Sequence, residues 1–108
     1  MTWFKKVKVS GELGQLQLAV CHPEFLEDLQ HWVQTDRRTA KRLLEQVQAI
    51  LRDPFNGIGK PEPLNYLGSE VWSRRITQEH RCVYLVKAEK VEFLQGRSYT
   101  RQGHSLRK

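Results

Sequence analysis

Lys60 to Val86 reads KPEPLNYLGSEVWSRRITQEHRCVYLV, and the fold is decided in this stretch. Val71-Trp72-Ser73-Arg74-Arg75-Ile76 and Arg81-Cys82-Val83-Tyr84-Leu85-Val86 alternate and are rich in β-branched and aromatic residues. Joined by the polar link Thr77-Gln78-Glu79-His80, they predict an antiparallel hairpin. Arg74, Arg75 and Arg81 ride on that hairpin. Upstream, Glu62 stands between Pro61 and Pro63. A following proline steers the preceding residue to extended geometry, so the Glu62 carboxylate is presented at little further conformational cost.

Working outward, residues 53 to 70 hold Pro54, Gly57, Gly59, Pro61, Pro63 and Gly68, too many breakers for a helix or a central strand. A loop of this length in a small domain points to a binding or catalytic segment. Before it, Pro23 suits a first helical turn, Glu24, Glu27 and Asp28 follow near the positive helix end, and Phe25, Leu26, Leu29, Trp32 and Val33 share a stripe. Thr35 or Asp36 caps a second helix, with Ala40, Leu43, Leu44, Val47, Ile50 and Leu51 at helical spacing until Asp53-Pro54 ends it. His31 and Trp32 are read as core rather than as a base-stacking pair. At the N-terminus WFKKVKV and LGQLQLAV read as a hairpin or two strands, and beyond the central hairpin KVEFLQGR predicts a strand over residues 90 to 97. Helices followed by strands make an α+β domain, with a two-helix hairpin packed on one face of a mainly antiparallel sheet and the other face left to carry function.

With 108 residues, 39% of them hydrophobic, the chain suits one domain and is too small for two cores. The formal charge of +6 is uneven: residues 60 to 108 hold ten Lys/Arg against five Asp/Glu. The basic half is therefore the half with the candidate site, and such a field favours phosphate-rich partners. Cys21 and Cys82 are far apart, with no CxxC or His pairing, which argues against a disulfide framework and a zinc site and suits a reducing cytoplasm. No apolar run approaches the length of a membrane span, and the basic N-terminus lacks the apolar core of a signal peptide.

The chain resembles the YoeB/Txe toxins of the RelE superfamily. The match is carried by Phe55 with Gly57, Gly59-Lys60-Pro61-Glu62-Pro63-Leu64, Trp72-Ser73-Arg74-Arg75-Ile76-Thr77, and Glu79-His80-Arg81 with Val83-Tyr84. A weaker match, including His31-Trp32 and Gln34-Thr35-Asp36, extends it over residues 16 to 97. The resemblance implies a RelE-like single domain over residues 1 to 108, with 1 to 15 an extension or extra strand and 98 to 108 a C-terminal tail. It further implies a ribosome-associated endoribonuclease of a type II toxin-antitoxin system, needing no cofactor or metal. Its partners would be messenger RNA, the ribosome and a YefM/Axe-like antitoxin, with a homodimer left open.

Metal-free RNA cleavage needs a base for the ribose 2′-hydroxyl, cations for the phosphate charge and an acid for the departing 5′-oxygen. Glu62 suits the base and Arg81 the phosphate ligand, because a guanidinium binds two phosphate oxygens at once. Both positions match the family's catalytic residues. From the residues alone, Glu62 serves equally well as the partner of an arginine that ties loop to sheet. Lys60, Arg74, Arg75 and Arg97 are expected along the RNA backbone, although alternation allows only one of Arg74 and Arg75 to face the cleft, leaving the other for Glu70 or Glu79. Where the family has Arg-Tyr-His-Tyr, this chain has Arg97-Ser98-Tyr99-Thr100 and eight further residues. Tyr99 is thus the expected acid and His104 its competitor. The altered end leaves a second reading open: a RelE-like RNA-binding or antitoxin-binding protein without nuclease activity.

Overall fold

A computed structural model of the chain describes residues 17–68 and 70–97. The first N-terminal run, the 1–15 extension and the tail with Tyr99 and His104 lie outside the described residues. Strand β1 (Leu18–Cys21) leads into helices α1 (Pro23–Thr35) and α2 (Arg37–Arg52), followed by β2 (Glu62–Pro63), a single 3-10 turn (Asn65–Leu67), β3 (Val71–Arg75), β4 (Arg81–Val86) and β5 (Lys90–Gln95). The five strands form one sheet in the order β1-β5-β4-β3-β2. Only β1 runs parallel to its neighbour, β5; the β5-β4, β4-β3 and β3-β2 pairs are antiparallel. The expected α+β architecture of two helices on a mainly antiparallel sheet is thus the observed one, and among the described residues no helix is long and apolar enough to cross a membrane.

One residue makes the sharp turn between the helices. Asp36 donates its amide to Trp32 O at 2.7 Å, ending α1, while its carboxylate accepts from Thr39 N at 3.2 Å and from Thr39 Oγ1 at 2.9 Å, capping α2. These bonds favour the ionised carboxylate, so its pKa is lowered, the side-chain bond from Thr39 being the largest cause. The buried stripe is narrower than periodicity alone suggests. Phe25 and Trp32 of α1 and Ala40, Leu43 and Ile50 of α2 pack onto Ile76, Cys82, Tyr84, Val91 and Phe93. Leu26, Val33 and Leu44 sit at the stripe's margin and are about half exposed.

Polar groups take some of the interior positions. The buried Asp28 accepts from Gly96 N at 2.8 Å, and Trp32 Nε1, one helical turn on, donates to Gly96 O at 2.9 Å. Both backbone groups of Gly96 are thereby drawn to α1, so β5 stops at Gln95 rather than reaching residue 97. A Cβ at Gly96 would come within 2.8 Å of Leu43 Cδ2, which accounts for the glycine at this close approach.

The breaker-rich segment differs from expectation in being partly strand. Glu62 and Pro63 pair with Ser73 and Trp72 as a two-residue edge strand, where a proline's missing N–H is tolerated. Nor is the second sheet face bare. Leu64, Val71 and Val83 are buried together, with Leu67, Leu85 and Leu94 packed against them. By alternation with Trp72 and Tyr84, this second cluster lies on the face turned away from the helices. The polar site occupies the end of that face, beside the apolar cluster.

Candidate nucleic-acid interface

Register carries the candidate residues to one place. Glu62 lies opposite Ser73 in the β2-β3 pair, and Arg75 lies opposite Arg81 in the β3-β4 pair. Ser73 and Arg75 are two apart on β3 and therefore share a face. Arg81 crosses from β4 and donates Nε to Ser73 Oγ at 2.9 Å and Nη2 to Glu62 Oε1 at 2.9 Å. Its side chain is 14% exposed, whereas that of Glu62 is 59% exposed. The carboxylate thus stands out in solvent on its proline-flanked strand, above a guanidinium held mostly within the surface. Ser73 is fully buried and was not singled out in the sequence; the two-residue alternation from Arg75 was the available signal.

Around this pair the expected cations divide. Arg75 is exposed and, with Lys60, Gly59, Ile76, Thr77 and Gln78, lines a cleft beside the loop. Lys60 adopts φ 51°, a left-handed conformation that costs a non-glycine residue about 1 kcal/mol or more. Such strain at the residue leading into Pro61-Glu62 shows that the surrounding contacts, not local preference, set this turn. Arg97 follows immediately on the gripped Gly96 and is half-buried. Its positive charge, after burial, is among the influences that lower the pKa of His80.

Arg74 departs from the expected RNA contact. It is fully buried on the helix-facing side of β3, and its donors go to Tyr84 Oη and to the carbonyls of Asp53, Asn56 and Ile58. A guanidinium with no exposed surface is not available to a nucleic acid. Nor does either arginine of the pair hold Glu70, which instead binds Lys87 at 3.1 Å.

His80 closes the β3-β4 turn. Its carbonyl accepts from Ile76 N and Thr77 N, its amide donates to Thr77 Oγ1 at 3.2 Å, and its ring meets Trp32 edge-on with centroids 4.7 Å apart. Burial is the main cause of its lowered pKa. The neutral ring is part of the packing behind the site, adjoining Trp32 and, beyond it, His31. Among the described residues, no group of three or more His, Cys, Asp or Glu is arranged to hold a metal ion.

Chemically, the site combines an exposed carboxylate, a guanidinium held at Nε by Ser73 Oγ and at Nη2 by that carboxylate, and two further cations in an adjoining cleft. That set can bind a phosphodiester and remove a proton beside it.

The comparisons with known proteins agree on one family. Residues 21–100 match the family described as a YoeB-like toxin of bacterial type II toxin-antitoxin system. A Mycobacterium bovis protein named Toxin YoeB is 48% identical over 75 residues, spanning 69% of this chain and 88% of the relative. Among solved structures, a YoeB/ParE toxin from Agrobacterium tumefaciens superposes with a TM-score of 0.74 at 36% identity, covering 78% of this chain and 100% of the other. A chain of a YoeB-YefM complex from Staphylococcus aureus superposes with a TM-score of 0.69 at 29% identity, covering 78% of this chain and 98% of the other.

Proposed function

The chain belongs to the YoeB-like toxins of bacterial type II toxin-antitoxin systems, and from that premise we propose that it is an endoribonuclease that cleaves messenger RNA on the ribosome. The observation that carries the proposal is the pairing of an exposed carboxylate, Glu62, with the anchored guanidinium of Arg81 at 2.9 Å on the sheet face away from the helices.

In the proposed reaction, a phosphodiester enters beside Arg81, and its oxygens take over guanidinium donors that Glu62 engages in the free protein. Glu62, displaced but still adjacent, accepts the proton of the ribose 2′-hydroxyl. The 2′-oxygen then attacks phosphorus, and the negative charge that builds on the phosphoryl oxygens is met by Arg81, with Lys60 and Arg75 along the flanking backbone. The P–O5′ bond breaks as the 5′-oxygen receives a proton, leaving a 2′,3′-cyclic phosphate and a free 5′-hydroxyl. We assign that proton to Tyr99, with His104 as its competitor, and Arg97 to the backbone beside it.

The competing acids differ in pH profile. A group titrating near ~6.5 loses activity as pH rises past neutrality, whereas a phenol near ~10 stays protonated. Single-turnover cleavage is therefore expected to hold between about pH 7 and 9, to collapse in Tyr99→Phe and to survive His104→Ala. The reverse pattern moves the assignment to His104.

A YefM/Axe-like antitoxin is the proposed partner, covering the cleft in which the positive charge of residues 60 to 108 is concentrated. Action on ribosomes places the protein in the cytoplasm. The test is primer extension on messages bound to purified ribosomes. New 5′ ends are expected only with added protein and are abolished by the co-purified antitoxin. Intact message together with retained RNA binding would instead support a non-catalytic relative.

A further inference from the structure

Arg74 and Arg75 are neighbours in sequence with opposite destinations, and the inward one donates four side-chain hydrogen bonds. The guanidinium of Arg74 is wholly buried, and among the described residues no carboxylate lies within ion-pair distance of it. It is satisfied instead by oxygens of the loop that leads to Glu62. Nη2 donates to Asp53 O and, at 3.0 Å, to Asn56 O; Nη1 donates to Ile58 O at 3.3 Å; Nε donates to Tyr84 Oη at 3.1 Å. Tyr84 in turn donates its hydroxyl to Pro54 O at 2.7 Å. Burial pushes the Tyr84 phenol up, against a smaller opposite effect of Arg74, so it remains a proton donor to Pro54.

Four carbonyls between residues 53 and 58 are therefore pinned by two side chains rooted in β3 and β4. The next residue is held by the same strand through its backbone: Arg75 N donates to Gly59 O at 2.7 Å, and Arg75 O accepts from Gln46 Nε2 of α2 at 2.5 Å. Lys60 and Glu62 follow at once. The seat leaves little room for a side chain at position 57, because a Cβ at Gly57, already at φ +134°, would lie 2.9 Å from Arg74 Nη1.

We propose that Arg74, with Tyr84, is a positioning residue for the site: its buried charge organises the carbonyls of residues 53–58 and thereby fixes where Lys60 and Glu62 stand relative to Arg81. A guanidinium suits this task because it carries five donors in a rigid plane, whereas a lysine ammonium at the same depth has three donors at one point. A buried arginine surrounded by carbonyls is also a strong determinant of a unique loop conformation, since any rearrangement that strips away those oxygens leaves a charge in the interior.

The inference rests on the nuclease reading for its kinetic consequence but not for its structural one, and the experiment separates the two. Hydrogen-deuterium exchange over residues 53–64 is compared in the parent protein, Arg74→Lys and Tyr84→Phe, together with single-turnover cleavage on programmed ribosomes. Exchange is expected to accelerate about tenfold or more in that segment of Arg74→Lys, with α2 and β4 unchanged, and by less in Tyr84→Phe. Cleavage at saturating ribosomes is expected to fall by roughly 10- to 100-fold in Arg74→Lys, the size of loss that follows a misplaced reacting group, with KM and its salt dependence unaltered. Unchanged exchange in both variants overturns the proposal, as does a loss confined to KM with a shallower salt slope, which would mark Arg74 as a substrate contact. Should Arg74→Lys fail to fold, the isosteric Tyr84→Phe carries both measurements. If the parent protein cleaves nothing, the nuclease reading fails while the exchange result still decides whether Arg74 orders the loop.

Discussion

Glu62→Gln separates the two roles a carboxylate beside an arginine can have, because the structure assigns them very different magnitudes. As a structural tie, Glu62 contributes one contact to Arg81 at 2.9 Å from a side chain 59% exposed to solvent. An exposed ion pair of this kind stabilises by about 0 to 1 kcal/mol, and the glutamine carbonyl can keep accepting from the guanidinium. For a domain near this size, ~1 kcal/mol corresponds to ~4–8 °C in Tm, so the substitution should lower Tm by no more than about 8 °C. As general base, the same carboxylate is worth roughly 10²- to 10⁴-fold in rate, or about 3 to 5 kcal/mol of barrier. The expected outcome is therefore a near-native melting curve in scanning calorimetry with single-turnover cleavage reduced at least a hundredfold. Raising the salt should leave the small Tm difference smaller still. Two results would refute the reasoning: cleavage by Glu62→Gln within tenfold of the parent, or a Tm drop above about 10 °C with activity lost only in proportion to the unfolded fraction.

Ser73→Ala removes the acceptor that orients Arg81 Nε and is expected to cost about 1.5 to 3 kcal/mol of stability by urea titration, with a fall in cleavage rate larger than any rise in KM. Leu43→Ala, emptying a fully buried position on the inner face of α2, should cost ~2–5 kcal/mol by the same titration and abolish activity only where the protein unfolds. Thiol titration should find Cys21 reactive in the folded protein and Cys82 reactive only in denaturant, because burial holds the Cys82 thiol far above its ordinary pKa. The Asp36 carboxyl titrates lower folded than unfolded, so its contribution is present above the unfolded value near ~4 and is lost as pH falls through the folded one. Asp36→Ala should accordingly lower the urea midpoint at pH 7 and flatten its decline in acid.

What could be read in the sequence depended on how local its cause was. The helix boundaries were legible because Pro23, Asp36 and Asp53-Pro54 act within a turn of where they stand, and the central hairpin because alternation and a polar link are local signals. Leu26, Val33 and Leu44 were placed with the apolar stripe because a five-residue face and a three-residue face have the same periodicity; only the width of the sheet beneath decides between them. The candidate site was half legible. Glu62 and Arg81 stand out as a proline-flanked carboxylate and a strand arginine, but their meeting requires β2 to pair with β3 in the register that sets Glu62 against Ser73. Two prolines and a glutamate give no strand signal by which to foresee that register.

Arg74 is the instructive case, since its charge suggested an RNA contact while alternation allowed only one of Arg74 and Arg75 to face the cleft and could not say which. Burying a guanidinium is unfavourable unless its donors are matched, and in this fold the matching oxygens are backbone carbonyls, which carry no side-chain signature at Asp53, Asn56 or Ile58. The available trace lies in the residues that had to give way: Gly57, where a Cβ would meet Nη1, and Tyr84, whose hydroxyl sits in an otherwise apolar strand face. A buried cation is therefore read from the vacancies and hydroxyls around it rather than from itself. The adjacent Arg75, displaced by one residue on the same strand, reaches the opposite surface, so this pair of identical residues divides into one that shapes the loop and one that lines the cleft beside it.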